Sequence, residues 1–136
     1  MGRTDMPAQK NQIEIKAAQL AERPLEWNEL DFVGWKEFRR MAPAVVGLEI
    51  ARIERLTASV GPEAPAYNAL IRARFNMRSF VDRLTEVSRP PIDELSDYLA
   101  GALIALALVE IEEAGETLRY TCHRLKYVHD RLQLVY

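Results

Sequence analysis

An all-α fold, a compact bundle of about four to six helices, is what this sequence predicts. Three observations carry the expectation. Apolar residues recur at three- and four-residue spacing along several stretches, and no alternating strand pattern or internal repeat appears. Breaks at Arg23-Pro24, Ser59 to Pro65 and Arg89-Pro90-Pro91 divide the chain into helix-sized pieces. Finally, Tyr98 to Ile111 (YLAGALIALALVEI) is rich in Ala and Leu with few β-branched residues, which favours a helix over a strand. Acidic residues at 93, 94 and 97 and at 110, 112 and 113 bound this run, leaving it short of the ~20 apolar residues a bilayer span needs. It is expected to be the buried central helix, near residues 93–113, with the small residues Ala100, Gly101 and Ala102 admitting a close neighbour.

In chain order, residues 1–9 read as a polar, flexible extension and residues 10–136 as a single helical domain. Lys10 to Glu22 supports a short helix that ends at Arg23-Pro24. An aromatic-rich segment follows with Trp27, Phe32, Trp35 and Phe38. Asp31 is a candidate N-cap for a helix through Trp35, Phe38 and Met41. Pro43 suits the first turn of another helix, whose stripe is Val46, Ile50 and Ile53, with Glu49, Arg52, Glu54 and Arg55 elsewhere. After the SVGPEAP break, a long helix is expected from about Ala66 to Val87. Leu70, Ala73, Met77, Phe80, Val81, Leu84 and Val87 turn to the core, while Ile71, Arg74, Phe75 and Arg78 fall largely on a second face.

Gly115 admits two readings. Either it caps the central helix and a final helix runs from about Glu116 to Leu134, or one helix continues through it. The 4,3 series Ala100, Ile104, Ala107, Ile111, Ala114, Leu118, Thr121, Leu125, Val128, Leu132 and Val135 tilts the expectation slightly toward continuity.

Composition bounds the function classes. The chain has 136 residues, enough for one domain with an ordinary core, and 49% hydrophobic and 28% charged residues exclude a disordered chain. A lone Cys122 and the absence of an apolar h-region in the first residues suggest a cytoplasmic protein. The net charge of −2 conceals segregation. Residues 64–89 carry five arginines against two acids, residues 92–116 carry seven carboxylates and no base, and residues 117–136 return to net positive. Adjacent helices of opposite sign are expected to complement one another.

Four groups are candidates for chemistry. Glu110, Glu112, Glu113, Glu116 and His123 form an acidic cluster, but no Glu-x-x-His pair is present and Arg119 shares the face, so a solvated helix surface is expected and no metal or cofactor. Cys122, flanked by Leu118 and Leu125, reads as a packing residue. Arg72, Arg74, Arg78 and Arg83, interleaved with Phe75, have the chemistry to meet phosphates and a base. The acidic helix that follows also has the carboxylates to neutralise them. A pI near 5.7 falls short of a dedicated nucleic-acid binder.

Arg124 and His129 form Arg-x-x-x-x-His within RLKYVH, which resembles the short catalytic signature of the HEPN ribonucleases, an all-helical family. The resemblance implies metal-independent RNA cleavage, with the Arg and His supplied by two subunits. It covers six residues, and Leu125 stands where that family commonly has a polar residue. By spacing alone, Leu125 belongs to the packing seam and His129 to its edge.

The leading expectation is a non-enzymatic interaction subunit of a larger or homo-oligomeric assembly, binding through Ile71, Arg72, Arg74, Phe75, Arg78 and Arg83. The aromatic segment and the C-terminal seam add to it. A nucleic-acid-contacting subunit, similar in architecture to the helical small subunits of RNA-guided effector complexes, is the alternative, and a HEPN-like ribonuclease the third. No membrane association is expected.

Overall fold

A run of buried side chains three and four residues apart, from Phe38 through Met41, Ala42, Val45, Val46, Ile50 and Ile53 to Thr57, makes one long helix of residues Trp35–Val60, α1. The computed structural model describes residues 34–109 and 115–136. The expected helix at Lys10 to Glu22, the Asp31 cap, Trp27 and Phe32 lie outside the described residues.

Pro43 sits inside α1 instead of opening a new helix. Its missing N–H removes one bond to the preceding turn, yet the apolar stripe runs unbroken on both sides. Burial of that continuous face outweighs the lost bond. α1 stops at Gly61, whose φ of 80° needs the left-handed conformation and whose N–H closes on the Thr57 carbonyl at 3.1 Å.

α2 spans Tyr67–Glu86 and buries Leu70, Ala73, Met77, Phe80 and Leu84 of the expected core face, whereas Val81, at its edge, and Val87, just past the helix end, are half-buried. Pro90 and Pro91 end the following turn, and α3 spans Ile92–Ala107 with Asp93 and Glu94 in its first turn, where the helix dipole favours carboxylates. α4 spans Gly115–Val135 and buries Leu118, Thr121, Leu125, Val128 and Leu132.

Continuity from α3 into α4 is therefore corrected. α3 ends at Ala107, where the Leu108 and Val109 N–H groups tighten onto the Ala105 and Leu106 carbonyls at 3.1 Å. The reason lies in phase. α3 buries Leu95, Leu99, Ala102 and Leu106, whereas of the supposed seam Ile104 and Ala107 point outward and Ala100 is only half-buried. One straight helix cannot bury both that stripe and the stripe of α4. The chain reverses instead: His129 and Gln133 of α4 bond Ser96 near the start of α3, and the Tyr136 hydroxyl donates to the Pro90 carbonyl at 2.6 Å.

The described helices thus form an up-down-up-down bundle. α1 neighbours α2 and α4, and α3 neighbours α2 and α4, with the α2–α3 contact the most extensive. The end of the bundle holding the α2–α3 turn is clasped by aromatics. The Arg89 guanidinium lies 4.5 Å from the Tyr136 ring centre and 5.5 Å from that of Trp35, and Trp35 meets Tyr136 edge-on at 5.1 Å. Phe38 is fully buried against Phe80. Trp35 and Phe38 therefore serve packing.

Two charged residues lie in the interior. Glu49, expected away from the apolar stripe, is fully buried, and so is Arg124 across from it on α4. Arg124 Nη1 is 3.4 Å from Glu49 Oε2, and the Thr121 hydroxyl donates to Glu49 Oε1 at 2.6 Å. Helix spacing put Glu49 beside the buried positions 45, 46, 50 and 53; its chemistry argued for the surface, and the partner that resolves the conflict stands 75 residues later in the chain.

Candidate functional site

The two flanks of α2 are occupied by ion pairs. On one flank Arg74 Nη1 approaches Glu54 of α1 at 3.8 Å and Arg78 Nη2 hydrogen-bonds the same carboxylate. On the other flank Arg83 engages Glu94 of α3 through both carboxylate oxygens, Nη2 to Oε1 at 3.1 Å. These bonds hold the Glu54 and Glu94 carboxyls below the usual carboxylate range, the Arg78 and Arg83 hydrogen bonds being the main causes. The charge alternation in the sequence is used here: acids from both neighbouring helices neutralise the arginine helix.

Between the flanks, opposite the core, lies the outer face of α2. Arg72, Phe75 and Ser79 point there at about 100° per residue. Phe75 is 66% exposed, a large apolar side chain left in water. Ile71 is half-buried. Arg72 is exposed and has no ion pair among the described residues, unlike the other three arginines.

α3 contributes a matching stripe. Its flank toward α2 carries Glu94 and Gly101, so Asp97, Ile104 and Leu108 turn outward beside them. Ile104 is 67% and Leu108 63% exposed. A Cβ at Gly101 would meet the Asn76 side chain at 3.1 Å, so the absent side chain is what lets α2 and α3 close together here. Asn76 in turn donates to the Arg72 carbonyl at 3.1 Å.

These contacts set the register of the hairpin. Arg83 faces Glu94 and Asn76 faces Gly101, seven residues apart on each helix and running in opposite directions. Extending the register brings Arg72 level with Ile104 and Ala105, and Phe75 level with Ala102. Arg72, Phe75, Asn76, Gly101, Ile104 and Leu108 therefore share one outward face. Of these, the sequence pointed to Arg72 and Phe75 as binding residues. It assigned Ile104 to a seam and Leu108 to a buried helix, because in an Ala- and Leu-rich run nearly every position looks apolar. The one available signal was polar: Asp93 and Asp97 mark the outward side of α3, and Ile104 lies seven residues from Asp97.

The other candidate groups are placed as follows. Arg124 is 1% exposed and committed to Glu49, while His129 turns to α3, its Nε2 3.0 Å from Ser96 Oγ. Five residues apart on one helix, the two side chains diverge by about 140°. His129 Nδ1 is also 3.3 Å from Asp130 Oδ1, so Ser96, His129 and Asp130 stand in the order of a hydrolase triad. The neighbours compete with that chemistry. Gln133 donates to the Ser96 oxygen at 3.2 Å, and Lys126 takes Asp130 Oδ2 at 3.0 Å, lowering the Asp130 carboxyl more than His129 does. The group reads as a polar contact between α3 and α4.

Cys122 is partly buried, and burial pushes its thiol up, away from thiolate chemistry. Among the described residues no cluster of His, Cys, Asp and Glu is arranged to hold a metal ion; Glu110, Glu112 and Glu113 lie outside them. Among the described residues no helix is long and apolar enough to cross a membrane. Comparison of the chain with family models, curated proteins and solved structures gave no match.

Proposed function

We propose that this chain is a non-enzymatic, cytoplasmic helical subunit that docks through the outer face of the α2–α3 hairpin in a larger or homo-oligomeric assembly. The observation that carries the reading is the exposure of Phe75, Ile104 and Leu108 on one face of the hairpin, with Arg72 beside them. Large apolar side chains gathered on one face, rimmed by charge, are the chemistry of an interface core, and an aromatic with an adjacent arginine is its usual anchor. The alternative, a nucleic-acid-contacting subunit, draws on the same arginine helix. It has less support because Arg74, Arg78 and Arg83 already answer to Glu54 and Glu94.

The test is the mass of the chain in extract from the cells that make it, by sedimentation, for wild type and for F75E/I104E. Both positions are exposed, so the double substitution leaves the fold intact. Wild type is expected well above the 15.6 kDa of one chain, with the variant shifted toward it. A wild-type chain that sediments at the mass of one chain, in extract and when purified, refutes the reading. Loss of the heavy species on nuclease treatment favours the nucleic-acid alternative.

A further inference from the structure

The outer α2–α3 face carries its charged and apolar groups in a fixed order. At the end where α2 begins, Arg72 lies level with Ile104 and Ala105, and Leu108 lies one turn beyond. Phe75 stands in the middle, level with Ala102, and Asp97 and then Asp93 follow toward the other end. Phe75, Ile104 and Leu108 are 66%, 67% and 63% exposed. Arg72, Asp93 and Asp97 are exposed and have no ion pair among the described residues, although every other arginine named on α2 has one. The face thus offers a base on α2 at one end, apolar surface from there to the middle, and acids on α3 at the other end.

We infer that the occupant of this face is residues 10–23 of the same chain, docked as a further helix parallel to α2 and antiparallel to α3. The inference rests on the interaction role proposed above and adds its regulation: this segment and the assembly partner compete for Phe75, Ile104 and Leu108. The segment, KNQIEIKAAQLAER, lies outside the described residues, and its helical spacing sets Ile13, Ala17 and Leu20 on one side. With that side on the bundle, Glu14 falls on one flank and Lys16 and Arg23 on the other, at about 100° per residue. Because both the segment and the bundle are built from right-handed helices, the stated direction puts the Glu14 flank over α2 and the Arg23 flank over α3. Turned end for end, the flanks exchange and Glu14 faces the acidic helix. One register then satisfies every contact. With Ala17 level with Phe75, Glu14 is level with Arg72, Ile13 lies between Ile104 and Leu108, and Arg23 reaches Asp97 with Asp93 beyond. The connection fits as well. Arg23 arrives at the end of the bundle that holds the α2–α3 turn, where α1 begins, since Trp35 meets Tyr136 and Arg89 there. Residues 24–33 extend to about 33–36 Å, and the path to α1 crosses helices spaced only ~8–10 Å apart. So short a tether supplies an effective concentration on the order of millimolar, which favours the chain's own segment over that of another copy.

The test is disulfide closure in the purified full chain, equilibrated in glutathione buffer, in a C122A background that removes the one native thiol. The pairs I13C/I104C and A21C/S79C meet in the stated direction, and the crossed pairs I13C/S79C and A21C/I104C meet in the reverse one. Circular dichroism checks that helix content is equal. The stated pairs are expected to close within one chain, at 15.6 kDa, with an effective concentration at least about tenfold above the crossed pairs. R72E/D97R, which reverses both ends of the face, is expected to lower that value by about threefold or more, and adding E14R/R23D to restore it. In extract, the closed I13C/I104C chain is expected at the mass of one chain and its reduced form in the heavy species. Stated pairs that close no better than crossed ones, or that close between chains, overturn the segment as occupant, and a wild type still heavy in extract then keeps the interaction role. Indifference to the reversals overturns the charge register, and a closed chain as heavy as the reduced one overturns the competition. A wild type at the mass of one chain, in extract and when pure, removes the interaction role and the competition with it, even where the pairs close.

Discussion

The interior pair Glu49–Arg124 makes a sharp energetic prediction. Burial raises the Glu49 carboxyl above its ordinary 4.5 in spite of the Thr121 hydrogen bond and the charges of Arg124 and Arg52, and burial lowers the Arg124 guanidinium in spite of Glu49. Both directions say that desolvation exceeds the mutual attraction, which is the regime in which apolar replacement of a buried pair is neutral or stabilising by about 1–4 kcal/mol. The replacement must be complete. E49L alone takes the carboxylate from a guanidinium that is 1% exposed and leaves the Thr121 hydroxyl without its acceptor, at an expected cost of about 3–5 kcal/mol. That is a large part of a total stability of about 5–15 kcal/mol. The triple variant E49L/T121V/R124M removes the buried members of the network, leaving the partly exposed Arg52, 3.7 Å from Glu49, to solvent, and should recover at least wild-type stability.

Urea unfolding at pH 7 measures both. With a slope of about 1–3 kcal/mol per molar, E49L should lower the midpoint by more than about 1 M, and the triple variant should match or exceed wild type. The advantage of the triple variant should shrink in acid. A carboxyl whose pKa is raised in the fold binds its proton more tightly folded than unfolded, so wild type loses stability as pH rises through the raised value and regains it as pH falls back toward 4.5. An E49L variant within about 1 kcal/mol of wild type would refute the buried pair. A triple variant as unstable as E49L would refute the claim that desolvation dominates.

Three further outcomes follow from the same physics. Glu54 and Glu94 are held low by Arg78 and Arg83, so their contribution is present above the ordinary carboxylate pKa and lost as pH falls through the depressed values; E54Q/E94Q should flatten the acid limb of a thermal-stability profile, and an unchanged limb would count against the pairs. G101A gains up to about 1 kcal/mol of helix propensity but brings a Cβ to 3.1 Å from Asn76, so N76A/G101A should be more stable relative to N76A than G101A is relative to wild type; equal increments would show that Asn76 does not crowd the site. P43A restores a donor inside α1 and should stabilise the chain by about 1–3 kcal/mol, whereas no gain in urea midpoint would mean that the turn around residue 43 has no open carbonyl to satisfy.

What the sequence by itself determined is local. The core face of α2 follows from spacing, its ends from SVGPEAP and the Arg89-Pro90-Pro91 turn, and the helical class from the absence of alternation. That Arg72 and Phe75 lie away from the core was legible because a polar helix announces which of its sides is apolar. Tertiary structure decided what depends on partners distant in sequence. Pairing with Glu54 and Glu94 is what separates Arg74, Arg78 and Arg83 from Arg72, which has no ion pair among the described residues. Ile104 and Leu108 are exposed because α2 and α4 cover the other sides of α3, and a run in which nearly every residue is apolar has no pattern from which to read a side. Glu49 and Arg124 are buried because each supplies the charge the other requires, a condition that no window of neighbouring residues contains. Periodicity fixes a helix and one preferred face; only the packing of four helices determines which remaining face is left for a partner.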